Sequence, residues 1–277
     1  MWDGDDLEDD ALESREPRRV SLPDILAILS GGAVGLVLAV IGGGGSILAT
    51  PALLYVVGVA NPHVAIGTSA IAVSINAFAN FINHARRGNV RWRCAMVFAA
   101  SGVAGASVGA AVGKVTDAQI LLPLFALLMI VVGIAMLRRP HGDTGHDVRL
   151  TRENAPKLIA YGLGVGAISG FFGIGGGFLI VPGLIGATGM SMIQAIGSSL
   201  LSVGSFGATT AASYAFDGLV DWRIAGLFIG GGLAGGLIGA GLATHLSKQR
   251  GALQRVFAGV VFAVAAYMLY RSLIAPH

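Results

Sequence analysis

The sequence predicts an all-α polytopic membrane protein of two inverted repeats, each with about five apolar segments and a glycine-broken helix. Three observations lead there. The 277 residues are 54% apolar and only 12% charged, whereas an ordinary soluble domain carries about 25% charge. Charge is also absent from long runs: Ile25 to Ala85 and Leu158 to Phe216 hold no Asp, Glu, Lys or Arg, and each is long enough for several crossings at about 20 residues apiece. Finally, the chain resembles itself at an offset of about 130 residues. A transmembrane barrel is excluded because its strands alternate polar and apolar residues, and these runs are apolar on every face.

Residues 1–24 form a polar tail with nine acids and three arginines, which reads as disordered. It has no basic start followed by a short apolar run, so no signal peptide is expected. Residues 25–138 make the first membrane repeat, 139–157 a basic cytoplasmic linker, and 158–274 the second repeat. The first copy parses into apolar segments at 22–41, 46–58, 63–83, 94–113 and 118–137, the second at 158–172, 177–188, 191–214, 224–246 and 253–272. Segments 46–58 and 177–188 are short for a span and each follows a glycine cluster, so they read as half-helices.

The repeat rests on ordered identities. Gly88 to Gly113 and Gly218 to Ala243 match at eleven positions, among them Trp92 with Trp222, Arg93 with Arg223 and Gly102 with Gly232. Gly44, Gly45, Leu48 and Pro51 meet Gly175, Gly176, Leu179 and Pro182, and Ala65 to Ser69 meets Ala195 to Ser199. Loop charges give the relation between the copies. His84 to Arg93 carries four arginines and no acid, while its counterpart Tyr214 to Arg223 carries Asp217, Asp221 and one arginine. The positive-inside tendency places the first loop in the cytoplasm and the second outside, which is the inverted case. The excess of Lys and Arg beyond residue 25 belongs to this tendency and does not indicate nucleic-acid binding.

The chemistry-bearing residues are uncharged. Gly42-Gly43-Gly44-Gly45-Ser46 and Gly173-Ile174-Gly175-Gly176-Gly177 each lead into an apolar stretch with a proline, Pro51 or Pro182. Consecutive glycines break a helix and expose amide N–H groups, and a helix starting there adds the positive end of its dipole, which suits an anion. Thr68, Ser69, Ser198 and Ser199 place paired hydroxyls beside a glycine in both copies. Asn76, with Asn80 and Asn83, recurs along one helix face. The candidate substrate-binding set is therefore Gly44, Gly45, Ser46, Thr68, Ser69, Asn76, Gly175, Gly176, Gly177, Ser198 and Ser199. His63 and His84 lie at segment ends and read as interfacial, as do Trp92 and Trp222. Cys94 is the single cysteine, which excludes an internal disulfide and a multi-thiolate metal site. No catalytic set, metal cluster, cofactor or phosphate-loop signature is evident.

At these residues the chain resembles the sulfite exporter TauE/SafE family of anion permeases. The matching features are Gly42 to Ser46 through Pro51, Asn61-Pro62-His63-Val64-Ala65-Ile66-Gly67-Thr68-Ser69, and the second cluster through Pro182 with Ala195-Ile196-Gly197-Ser198-Ser199. Met190-Ser191-Met192 and Ser198 depart from the family's usual pattern. The resemblance implies a secondary transporter that moves a small sulfur-containing anion, such as sulfite, sulfoacetate or thiosulfate, across the inner cell membrane. An anion channel is the alternative within that class, and a membrane-embedded enzyme or assembly factor of sulfur metabolism the alternative outside it. The expected partners are the anion and the lipid bilayer, with a homodimer left open.

Overall fold

A computed structural model describes residues 21–116, 118–138, 151–172, 177–246 and 252–274. Met1 to Val20 of the acidic tail, most of the linker and Gly173 to Gly176 lie outside the described residues. The described chain is helical: α1 (Leu22–Ile41), a 3-10 helix (Gly42–Leu48), the single turn α2 (Ala49–Ala52) prolonged by a π turn (Leu53–Val57), α3 (Pro62–Arg86), α4 (Trp92–Val115), α5 (Ala118–Arg138), α6 (Ala155–Phe172), α7 (Gly177–Thr188), α8 (Met192–Phe216), α9 (Trp222–Leu246) and α10 (Ala252–Ile274). Among the described residues there is no strand.

Local chemistry sets the boundaries. Ser21 N–H donates to the Asp24 carboxylate at 2.9 Å at the start of α1, and Asn61 accepts from His63 N–H at 2.9 Å ahead of Pro62 in α3. The α3–α4 and α8–α9 turns pivot on Gly88 (φ +73°) and Gly218 (φ +70°), a backbone conformation that disfavours side chains. Among the described residues, five helices, α1, α3, α4, α6 and α9, are long and apolar enough to cross a membrane. The shortest has 18 residues, about 27 Å at 1.5 Å per residue. Val108 and Leu237 are 65% and 68% exposed in the middle of such helices, which is tolerable where acyl chains replace water.

The helices pair across the two halves. The most extensive packing joins α4 to α6 and α1 to α9, followed by α3 with α8, α4 with α8, α5 with α10 and α3 with α9. Exchanging the halves turns this set into itself. Glycines make the tightest pairs possible: a methyl group on Gly31 or Gly35 would overlap the Phe228 or Gly232 carbonyl, and one on Gly231 or Gly235 the Ile28 or Gly32 carbonyl. Gly105, Gly109 and Gly113 of α4 meet the carbonyls of Leu163, Ala167 and Phe171 of α6 in the same way. Such contacts replace the hydrophobic driving force that helices lack in lipid.

The same pairs fix direction. Residue numbers rise together along α1 and α9, along α4 and α6, and along α3 and α9, where Gly232 meets Asn76 and Gly236 meets Asn80. They run oppositely along α3 and α8, where Gly67 lies beside Tyr214 and Ser74 Oγ donates to the Gly204 carbonyl at 2.7 Å. Thus α1, α3 and α9 point one way, while α6, α8 and α4 point the other.

Candidate functional site

The first glycine cluster differs from an open break. Gly42, at φ +69°, ends α1, and the chain then coils into a tight 3-10 helix that doubles back so that Gly45 rests on the backbone of Leu38. Gly43 N–H donates to Ser199 Oγ at 3.1 Å, and Ser46 Oγ donates to the Gly43 carbonyl at 2.8 Å. Ser46 Oγ also accepts from Gly177 N–H at 3.2 Å. The backbones of Gly43 and Gly177 touch, since a methyl group on either would overlap the other. Gly43 of the first glycine cluster and Gly177 at the end of the second are therefore in contact, and both are buried. Gly44 lies in the same 3-10 helix, and Gly175 and Gly176 lie outside the described residues.

The hydroxyls are buried, and Thr68, Ser198 and Ser199 are bonded across the halves. Asp221 N–H donates to Thr68 Oγ1 at 2.9 Å, and Arg91 N–H donates to Ser198 Oγ at 2.9 Å. Each of these tethers the residue before a helix, α9 or α4, to α3 or α8 of the other half, and each hydroxyl keeps its own hydrogen to donate. Ser69 and Ser199 donate to the carbonyls of Ile66 and Ile196, three residues back. Ser69 Oγ also lies 2.8 Å from Thr50 Oγ1. In this conformation Ser69 and Ser199 hold the first broken segment against α3 and α8, Ser46 joins it to Gly177, and Thr68 and Ser198 hold the starts of α9 and α4.

Asn76 is 0% exposed, and neither its amide nitrogen nor its carbonyl oxygen has a hydrogen-bond partner. Asn80, also buried, donates from Nδ2 to the Asn76 backbone carbonyl at 3.0 Å, whereas Asn83 turns partly outward. The third member of the buried face is His84, expected at an interface yet 0% exposed. Its Nε2 donates to the Ala39 carbonyl at 3.0 Å, which fixes the proton on that nitrogen because a carbonyl only accepts. The repeated four-residue step from Asn76 through Asn80 to His84 is the available signal, since residues four apart are neighbours on a helix surface. Tyr214, which the 130-residue offset pairs with His84, is likewise buried and its hydroxyl has no partner.

The arrangement offers amide N–H groups and hydroxyls, with formal charge kept away. Apart from Asp24 at the start of α1, paired with Arg223 at 2.6 Å, no Asp, Glu, Lys or Arg is buried among the described residues. Nor do three of His, Cys, Asp and Glu gather among them to hold a metal. A groove of about 560 Å³ between α4, α5 and α6 is lined by apolar side chains such as Val112, Leu127 and Phe171, and it suits acyl chains rather than a polar solute.

The sulfite exporter TauE/SafE family matches residues 27–268. A probable membrane transporter protein of Xylella fastidiosa (strain Temecula1) is 55% identical over 249 residues, spanning 90% of this chain and 95% of the relative. The probable membrane transporter protein YunE of Bacillus subtilis is 23% identical over 270 residues, spanning 90% and 98%. No solved structure matches. With a match covering nearly all of the membrane-embedded chain and relatives of the same extent, the protein belongs to the sulfite exporter TauE/SafE family and is a membrane transporter.

Proposed function

We propose that the protein is a secondary transporter that carries a small sulfur-containing anion, such as sulfite, sulfoacetate or thiosulfate, across the inner cell membrane by alternating access. The observation that supports this best is the contact of Gly43 and Ser46 with Gly177. Two helix breaks from opposite halves meet where backbone N–H groups already bind side-chain oxygens, Ser199 Oγ on Gly43 and Ser46 Oγ on Gly177. An oxyanion exchanges its own oxygens for these hydroxyls at little geometric cost. Gly44, Gly45, Gly175 and Gly176 supply further amides, and Thr68, Ser69, Ser198 and Ser199 the hydroxyl donors. Such dipoles stabilise a negative solute most where water is excluded.

The two halves are inverted repeats in this proposal. Corresponding helices α1 and α6, α3 and α8, and α4 and α9 run antiparallel, as an axis in the membrane plane requires. Rocking one half against the other then exchanges the exposed side while the breaks stay central. The test is uptake of labelled sulfite, thiosulfate and sulfoacetate into proteoliposomes, with Gly44→Val as the control. Saturable uptake that Gly44→Val abolishes while the variant still inserts is the expected result. Uptake of a cation or neutral solute with none of the anions above protein-free vesicles overturns it.

A further inference from the structure

The imidazole of His84 has no part in the transport cycle described above, yet its surroundings suit a change of charge. With the Nε2 hydrogen on the Ala39 carbonyl, Nδ1 is left as an acceptor, and Asn89 Nδ2 lies 3.5 Å from it. Asn89 is held over the ring by its own backbone, whose N–H donates to the His84 carbonyl at 3.1 Å. It is only partly buried, so the amide stands between the imidazole and the α3–α4 turn. A proton added to Nδ1 turns that nitrogen into a donor, and the amide answers by turning over to present Oδ1. Both charge states of the ring then keep both of their hydrogen bonds.

The charge itself has no counter-ion in the fold. The elements packed against α3 are α8, α9, α1, the 3-10 helix, α2 and the π turn; beyond Asp24 at the far end of α1, none of them contains an Asp or Glu. At the His84 end the ionisable side chains among the described residues are Arg86 and Arg87 on α3, Arg91 in the turn, Arg93 and Cys94 on α4 and His245 on α9. None carries a negative charge at neutral pH. A buried cation without a partner is costly, so the missing charge has to arrive with the solute.

Two routes join the imidazole to the place proposed for that solute. Along α1, the carbonyl that holds Nε2 belongs to Ala39, about one helical turn before Gly43. Through the turn, Asn89 packs its backbone carbonyl against Gly197, and Ser199, two residues on, accepts the Gly43 N–H. We infer that His84 is a proton-binding site and that the transporter carries one proton with each anion. This rests on the anion-transport reading above and adds the coupling ion to it. The bound anion favours protonation of His84, and by linkage the proton favours the anion to the same degree. On the other side of the membrane both leave, and Nδ1 again accepts from Asn89.

The test uses proteoliposomes with a pH-sensitive dye inside and the membrane potential clamped by potassium and valinomycin. Thiosulfate and sulfoacetate are the probes, because neither takes up a proton between about pH 6 and pH 8, where a histidine titrates. Wild type is expected to acidify the interior as either anion enters, and to take up a low concentration of it roughly tenfold faster at the acid end of that range. His84→Gln, whose amide still has a hydrogen for the Ala39 carbonyl, is expected to lose both the acidification and the pH dependence. Asn89→Asp is the second variant: a carboxylate beside Nδ1 should move the pH profile upward by about one unit, which a merely structural histidine would not do.

Anion entry without acidification, a folded His84→Gln that still acidifies the interior, or an unshifted profile in folded Asn89→Asp overturns the inference and leaves anion transport intact. Failure of both probes to enter overturns it as well, and if sulfite also fails to enter, the anion-transport reading falls with it.

Discussion

The seam between α3 and α9 and its counterpart between α8 and α4 share a backbone but differ in side chains. Asn76 and Asn80 line the first, facing α9 at Gly232 and Gly236; Phe206 holds the place matching Asn76 in the second, where Gly102 takes its ring. Phe206 stacks on Phe98 with centroids 6.4 Å apart, while Asn76 has no partner. The duplicated features, glycines and cross-half hydroxyls, are those that set helix separation. The features that diverged point into the seams. One seam therefore gains stability from an aromatic plug, and the other holds an amide that weakens the fold.

The comparison breaks most severely if the glycine pairs are filled. Gly35→Val and Gly166→Val each drive a branched side chain into a facing carbonyl, of Gly232 and Gly102 respectively. Each is expected to cost about 3 kcal/mol or more, enough to remove folded protein from detergent extracts judged by size-exclusion chromatography. A normal yield from only one of the two would mean that the halves do not pack alike.

Exchanging the seam residues sharpens the contrast. Phe206→Asn removes a buried ring and leaves a second orphaned amide, so a loss of about 3–5 kcal/mol is expected. Asn76→Leu, an apolar group close to the amide in shape, is expected to stabilise by about 1 kcal/mol, as an orphaned pair is removed. Denaturation in detergent should give the two opposite signs. Equal signs would place Asn76 in a bonded network after all.

The helices and the first break were legible because each leaves a local mark. Ala155–Phe172 and Gly177–Thr188 are uncharged but for Lys157, near the start of the first; Trp92 and Trp222 open equivalent helices; and Gly42 to Ser46 interrupts an apolar run. What composition does not encode is the identity of a partner far along the chain. Gly43 and Ser199 are separated by 156 residues, and Arg91 and Ser198 by 107. Read locally, those hydroxyls are donors awaiting a ligand. Folded, they accept from the backbone of the other half. His84 misled for a similar reason: its place near the end of α3 suggested an interface, but α1 covers it and offers the Ala39 carbonyl.

The hydroxyl tethers give the next effect. Thr68→Val and Ser198→Ala each leave a backbone N–H, of Asp221 or Arg91, without its acceptor. Interhelical hydrogen bonds in membrane proteins average about 0.6 kcal/mol and reach about 1.7, so both variants should fold with modestly lower melting temperatures and similar losses. A loss confined to Thr68→Val would show that only the α9 end depends on its tether.

The smallest effect concerns the charges at the two ends. At one end Arg87 donates from its guanidinium to the Ala240 carbonyl of α9, and at the other Lys114 of α4 lies 2.7 Å from Asp217, the residue that corresponds to Arg87. The same reach from a turn to a helix of the other half is thus made by a charge on a dipole in one case and by two opposite charges in the other. Asp217 is half-exposed, and exposed ion pairs contribute roughly 0.2–1 kcal/mol. Lys114→Gln should therefore lower stability by a few tenths of a kcal/mol in dilute buffer and by almost nothing at about 1 M salt, where screening extends over only about 3 Å. Arg87→Gln should show a loss that salt changes little, because a guanidinium bonded directly to a carbonyl depends on contact more than on long-range attraction. Thermal melts of the two variants at low and high salt separate these cases, and equal salt dependence would mean that both contacts act through charge alone.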